Sequence, residues 1–344
     1  MFQLRHDTLC PVAKEEKPRG RLTVLLALAA NLGIALAKTV AAVVTGSASM
    51  AAEAGHSYVD TINEVLLLTA LRRSERPADS RHPFGHGTER YFWSLLVAVC
   101  IFGMGALFAF LQGFGALLGG GVEEASPLIG YIVLAVSFVL ESISWLQAYR
   151  ETRQHARERG QGFVDFLRTT DDPTAKSVLF EDSAALLGIV FAAGGLYTHQ
   201  LTGSSVGDGV ASLLIGLMLT LVAFLLGRTN RELLVGRQAR PEVLDGMRGV
   251  LKEAPEVEEL VDLMTMNVGT DQILVCARLD FDDRLGAADV ERACARLDGE
   301  LHEKYPEVYE VFLEPVPRDD PGLRDRVMAR YGLAANGDPL PKNA

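Results

Sequence analysis

Six long apolar stretches separated by short polar ones organise the first two thirds of the chain: Leu22 to Thr45, Ala48 to Leu71, Tyr91 to Leu118, Leu128 to Tyr149, Ser177 to His199 and Val206 to Gly227. Each is near the roughly 20 residues that a helix needs to cross a ~30 Å hydrocarbon core. Their apolar residues run on instead of recurring as one stripe, so they predict membrane helices rather than the half-buried helices of a soluble domain. After Arg237 the pattern changes. "PEVLDGMRGVLKEA" carries an apolar stripe at Val243, Met247 and Leu251 behind a helix-starting Pro241. "EELVDLMTMNV" and "QILVCARLDF" alternate as strands, joined at Gly269, Thr270 and Asp271 by a hairpin signal. "AADVERACARLDGELHEKY" is helical through Val290, Ala293, Leu297 and Leu301, and "VYEVFLEPV" is a strand stopped by Pro315.

The predicted fold is therefore an α-helical membrane protein of six transmembrane helices, followed by a small cytosolic α+β domain of order αββαβ, ferredoxin-like in its layout. The expected boundaries are a cytosolic N-terminal segment 1–21, a six-helix domain 22–235, the αββαβ domain 236–317, and a loosely ordered Pro, Asp and Gly-rich tail 318–344.

Charge orients this layout. Arg72, Arg73, Arg76, Arg81 and Arg90 lie between the second and third stretches, and Arg150, Arg153, Arg157, Arg159 and Arg168 between the fourth and fifth. Lys14, Lys17, Arg19 and Arg21 precede the first, whereas Gly46 and Ser47, Gly119 to Pro127 and Gln200 to Ser205 contain no Lys or Arg. By the positive-inside rule both termini are expected in the cytoplasm. The first 21 residues lack the short apolar core of a cleavable signal. Short loops and no targeting segment fit a bacterial inner membrane. Most of the net charge of −11 belongs to the tail from Arg237 onward, with 23 acidic residues against 14 basic ones, which argues against nucleic acid as a partner. Cys10, Cys100, Cys276 and Cys294 are too scattered for a disulfide frame or a zinc knuckle.

The chemistry sits inside the membrane stretches. "MAAEAGHSYVDTINEVLLL" brings Glu53, His56, Asp60 and Glu64 into a segment where each ionisable group costs a few kcal/mol, about 2.5–3.5 for Asp at a helix centre. Residues four apart share a helix face, so imidazole and carboxylates form one stripe suited to a divalent ion; the alternative is a His–Asp pair that fixes helix packing. In the fifth stretch Glu181 and Asp182 are adjacent, about 100° apart, so one points at a given site and the other flanks it. Asn31, Lys38, Glu141 and Asp208 complete the buried polar set; for Lys38 and Glu141, ion pairing or snorkelling and a transport role are equally open. A metal displaces protons from such ligands, so binding couples to proton release. Mixed nitrogen and oxygen ligands suit Zn²⁺, and a carboxylate-rich set shifts preference toward Mn²⁺ or Fe²⁺. In the cytosolic "PADSRHPFGHGTER", Asp79, His82 and His86 have spacing for a labile metal site, or else shape a turn. No nucleophile with its base, phosphate-binding loop or cofactor motif stands out, so neither enzymatic activity nor a cofactor is expected.

Through "HSYVD", "PADSRHPFGHG", "ED" at 181–182, Asp208 in "GDGVASLLIG", six apolar stretches and the αββαβ tail, the chain resembles the cation diffusion facilitator family of metal/proton antiporters, from about Leu22 to Pro315. The resemblance implies export of cytosolic divalent metal, Zn²⁺ first and Mn²⁺, Fe²⁺ or Co²⁺ as alternatives, in exchange for protons by alternating access. A metal-sensing membrane scaffold is the reading from another class. It also implies His56, Asp60 and Asp182 as transport ligands, with Glu181 as a substitute ligand, and Asp79, His82 and His86 as an accessory site. Glu53, Asn63, Glu64 and Asp208 fall to a second shell or proton relay, and a homodimer forms through the cytosolic domain. The chain departs from the pattern at Val178, where relatives carry His or Asp, and at Thr88, where some carry a dimer-locking Lys. "FLRTTDDPTAKSVLFEDSAALLG" is similar to the branch containing zinc transporter nine. The tail's lone His302 implies no histidine-rich regulatory cluster.

Overall fold

The computed structural model describes residues 21–119, 127–158, 160–170 and 173–330. The expectations placed on 1–20, on 120–126, on Arg159, on the side chains of Arg21 and Arg168 and on 331–344 lie outside the described residues.

Helices α1 (Arg21–Thr45) and α2 (Ala48–Ser74) are followed by α3 (Glu89–Cys100), a π-helical segment Ile101–Ala106 and α4 (Leu107–Gly119), consecutive in the chain with no loop between them. Then come α5 (Pro127–Glu158), a short α6 (Phe163–Thr169), α7 (Pro173–Thr202) and α8 (Val206–Val235). Among the described residues, four helices are long and apolar enough to cross a membrane: Glu89–Leu118, Pro127–Glu158, Lys176–Thr202 and Val206–Val235. A shorter apolar stretch covers Asn31–Thr45. α2 has the length, 27 residues, but Glu53, Asp60, Glu64, Arg72 and Arg73 set it apart from an ordinary span. The π segment and α6 were not legible in the hydrophobic pattern, because a π turn changes the hydrogen-bond register without changing which residues are apolar.

The chain divides into two compact units. The first comprises residues up to Val65, Cys100–Ile143 and Asp182–Thr220. Its helices approach closely where glycines meet: a Cβ on Gly113 would sit 2.9 Å from the Gly209 carbonyl oxygen, so α4 and α8 touch backbone to backbone. Such small-residue contacts replace the hydrophobic effect as the source of helix association in lipid.

The second unit comprises Leu66–Val99, Ser144–Glu181 and everything from Leu221. It contains α9 (Pro241–Glu253), β1 (Val257–Gly269), β2 (Gln272–Phe281), α10 (Ala287–Lys304) and β3 (Val308–Pro315), in the helix and strand order read from the sequence. β1 and β2 pair antiparallel around a two-residue turn, with Asp271 at φ 53, a conformation that Asp and Asn tolerate better than most residues. β3 lies parallel to β2 on its other side, the pairing that a crossover helix such as α10 permits. Met247 and Leu251 of α9, Val275, Ala277 and Leu279 of β2, and Leu297 and Leu301 of α10 form the core on one sheet face.

Residues 321–330, expected to be loosely ordered, form a helix instead, α11 (Pro321–Arg330). Asp320 caps it, accepting from Gly322 N–H at 2.8 Å and Leu323 N–H at 3.1 Å, with Pro321 at the first helical position. Leu323 is buried, and Arg330 donates to the buried Asp262. A capped turn with two tertiary anchors outweighs a composition that reads as disordered.

Candidate metal site

The position of α2 is set at its N-terminus. Gly46 turns the chain out of α1 at φ 67, and the Ser47 hydroxyl accepts the Met50 N–H at 3.1 Å. α8 supplies the rest. Asp208 accepts from the Ser47 hydroxyl at 2.8 Å, from the Ser49 N–H at 3.3 Å, and from the Ala48 N–H and the Ser49 hydroxyl. A carboxylate on first-turn N–H groups also meets the positive end of the helix dipole. Asp208, read from the sequence as second shell or relay, is thus a cap roughly 12 Å along the helix from His56. The structure does not bring it to the polar stripe.

At 100° per residue Glu53, His56, Asp60 and Glu64 fall within a sector of about 80°. Each has a different environment. Glu64 accepts from the Asn31 amide of α1 at 3.0 Å. Glu53 accepts from the Lys38 ammonium at 3.0 Å, both side chains fully buried, and the same ammonium donates to the Ser57 hydroxyl at 2.9 Å. Removing one partner of such a buried pair costs about 3–5 kcal/mol. For Lys38 the structure therefore resolves the two sequence readings toward ion pairing.

His56 differs. It is 1% exposed, and its Nδ1 lies 3.4 Å from Asp60 Oδ1 without hydrogen-bond geometry. Neither ring nitrogen has a hydrogen-bond partner among the described residues, nor does Asp60 Oδ1. A buried polar group left unsatisfied costs about 1–3 kcal/mol, and such groups cluster where an ion or catalytic partner belongs. The charges of Glu141, Lys38, Asp182 and Glu53 all act on Asp60. Asp182 of α7 acts on Asp60, but His56, Asp60 and Asp182 do not bring one ligand atom each within 4.8 Å of one another. Glu181, one position earlier, is buried in the second unit, and Asn63 is buried on α2. Val178 is half-buried and has no atom that can ligate a metal.

A cavity of about 570 Å³ lies elsewhere in the first unit, lined by Thr39, Tyr58, Phe108, Gln112, His199 and Asp208 among others. From the middle of α2 it takes Ala51, Ala54, Gly55 and Tyr58, the face opposite the polar stripe. His56 points away from it.

The second constellation is in the loop between α2 and α3. Asp79 Oδ1 accepts from the backbone N–H of Arg81 at 2.7 Å and of His82 at 2.8 Å, closing a tight turn. His82 Nδ1 lies 3.1 Å from Asp79 Oδ1 and His86 Nε2 3.2 Å from Oδ2, so that one ligand atom from each residue falls within 4.8 Å of the others. The loop is seated on the tail domain. Phe84 meets Phe312 of β3 edge-on at 6.3 Å between ring centroids, and a Cβ on Gly87 would come within 2.5 Å of the Val268 carbonyl oxygen.

The two backbone N–H groups, and then the histidines, hold the Asp79 carboxyl well below the usual carboxylate range. A depressed folded value means that its contribution is complete above about pH 4, the unfolded value, and disappears only as pH falls through the folded one. Protection of the Arg81 and His82 amides is therefore expected to stay level from about pH 8 to pH 4. Asp79→Asn is expected to lose that protection, read by amide exchange beside the wild type; unchanged exchange at Arg81 and His82 would mean that the carboxylate does not close the turn.

Sequence reasoning missed Gly188 of α7, which faces Glu53: a Cβ there would lie 2.1 Å from Glu53 Oε1. A glycine in a run such as "AALLGIV" carries no mark of what approaches it.

Residues 24–235 match the family model described as the cation efflux transmembrane domain. The chain is 38% identical over 248 residues to a protein of Xenopus laevis named proton-coupled zinc antiporter SLC30A9, mitochondrial, an alignment covering 72% of this chain and 44% of that one. To the human protein of the same name it is 36% identical over 76% of this chain and 46% of the relative. To the cation-efflux pump FieF of Shewanella oneidensis it is 28% identical over 77% of this chain and 83% of the relative. The chain thus spans about half the length of the SLC30A9 relatives it matches. With the family domain covering its apolar helices, it is an integral membrane protein. The chain belongs to the cation efflux family, whose transmembrane domain it carries from residue 24 to residue 235.

Proposed function

We propose that this chain exports divalent transition metal from the cytosol in exchange for protons, by alternating access around His56, Asp60 and Asp182, with Glu181 as the substitute for the ligand absent at Val178. The observation that carries the reading is the buried His56 imidazole, with no hydrogen-bond partner for either ring nitrogen among the described residues and a carboxylate at 3.4 Å. Metal binds imidazole only when it is neutral and carboxylate only when it is ionised, so ion entry expels protons and proton entry expels the ion. Zn²⁺ suits the imidazole, and relatives named proton-coupled zinc antiporters support it. A second reading, Mn²⁺ or Fe²⁺ as cargo, has its own support: the charges of Glu141 and Asp182 both act on Asp60, and one relative is named a manganese efflux protein.

The finer architecture goes with this reading: six spans, including α1 and α2, a ferredoxin-like cytosolic domain through which two copies pair, and Asp79, His82 and His86 as an accessory cytosolic site. Arginine-rich loops support cytoplasmic termini, and bacterial relatives support a bacterial inner membrane, beside relatives named mitochondrial.

The test is reconstitution into proteoliposomes with one dye for zinc and one for pH. Zinc uptake driven by an imposed pH gradient, with protons moving the opposite way, is the expected result. Zinc flux that ignores the gradient would overturn antiport, and saturable binding without flux would leave the sensing scaffold instead.

A further inference from the structure

Lys38 of α1 donates to two residues of α2 one turn apart, Glu53 at 3.0 Å and Ser57 at 2.9 Å, and His56 lies on the turn between them. The ammonium therefore staples the helical turn that carries the imidazole. Glu53 Oε2 takes this bond, while Oε1 is buried with no hydrogen-bond partner among the described residues and faces Gly188 of α7. A Cβ on Gly188 would stand 2.1 Å from Oε1 and 3.2 Å from Cδ, so the carboxylate, held through Oε2 by Lys38, would have to move to admit it. The carboxylate thus occupies a slot made by the missing side chain, and three helices, α1, α2 and α7, are held around it. α7 also carries Asp182, so one buried group references both halves of the metal site to each other.

We infer that Lys38, Glu53 and Gly188 form a positioning clamp for the transport site, fixing the turn of His56 against the helix of Asp182 and taking no part as ligands themselves. The inference rests on the proposed transport reading. As a neutral pair, Lys38 and Glu53 add no net charge to a site whose His56, Asp60 and Asp182 balance a divalent ion. Their role is geometric, which is what metal affinity demands of groups behind the ligands: losing such a partner typically lowers affinity 10–100-fold, about as much as misplacing a ligand.

A buried ion pair can often be replaced by apolar residues of similar size without loss of stability, whereas removing one partner is strongly destabilising. The experiment uses that asymmetry. The full chain, the double variant Lys38→Met with Glu53→Met, Gly188→Ala and Gly194→Ala are reconstituted, and zinc flux is measured against zinc concentration beside thermal unfolding in detergent. Gly194 is the control, on the same helix with nothing within 4 Å of its Cβ position. The expected result is a double variant that unfolds near the wild-type temperature, with its KM for zinc raised roughly tenfold and its kcat changed less than about threefold. Gly188→Ala is expected to raise KM similarly, and Gly194→Ala to change nothing. A stable double variant with wild-type KM overturns the clamp and leaves a purely structural pair, as does Gly188→Ala behaving like Gly194→Ala. If the double variant unfolds early, the glycine comparison decides alone. A wild type with no zinc flux sinks the transport reading, and the clamp with it.

Discussion

His56→Ala is expected to lower zinc flux into proteoliposomes by about a hundredfold, the upper end of what loss of a group merely behind the ligands produces. The imidazole puts a neutral nitrogen donor 3.4 Å from Asp60, and it is the donor that zinc prefers to another carboxylate. Removing it leaves oxygens alone on the polar stripe and opens a void where a buried side chain stood. Two companions separate ligation from folding. His199→Ala, on the cavity wall at the other face of α2, is expected to transport within about twofold of wild type, because a polar group away from the site contributes within the scatter of ordinary surface changes. His56→Asp is expected to lose zinc flux yet keep manganese flux, since hard oxygen ligands suit Mn²⁺. Full zinc transport by His56→Ala would move the site elsewhere, first to Asp79, His82 and His86, the group among the described residues whose ligand atoms all lie within 4.8 Å of one another.

How much of this was readable beforehand depended on whether the signal was local. The stripe of Glu53, His56, Asp60 and Glu64 is a matter of helical spacing, and the sequence carries it in full. The tail's strands and helices announced themselves by period, and the Thr270 and Asp271 turn by its residue types. What was hidden is who meets whom. Lys38 could have snorkelled toward the interface, and nothing along the chain says that it reaches Glu53 fifteen residues later. Asp208 read as one more intramembrane carboxylate, because its partners Ser47 and Ser49 lie 161 and 159 positions away. Gly188 and the π segment at Ile101–Ala106 are defined by backbone approach and hydrogen-bond register, neither of which alters hydropathy. α11 misled in the opposite direction: its composition is that of a loose tail, and its order comes from Asp320, Leu323 and Arg330 finding partners.

The reassignment of Asp208 from relay to cap makes the other large prediction. Asp208→Ala removes the carboxylate that accepts from the first N–H groups of α2 and from the buried Ser47 and Ser49 hydroxyls. Breaking a buried charged interaction from one side costs about 3–5 kcal/mol, on the order of 10 °C in midpoint for a domain of this size. Asp208→Asn keeps a carbonyl that can accept from one or two donors but loses the charge facing the helix dipole, so roughly half of that loss is expected. Thermal unfolding in detergent reads both. Transport is expected to fail with stability in the alanine variant, because the axial position of α2 decides where His56 stands, and to survive in the asparagine variant with proton coupling intact. A relay predicts a different pattern. An Asp208→Ala protein of wild-type midpoint that moves zinc without moving protons would return this carboxylate to the proton path and take away its role as the anchor of α2.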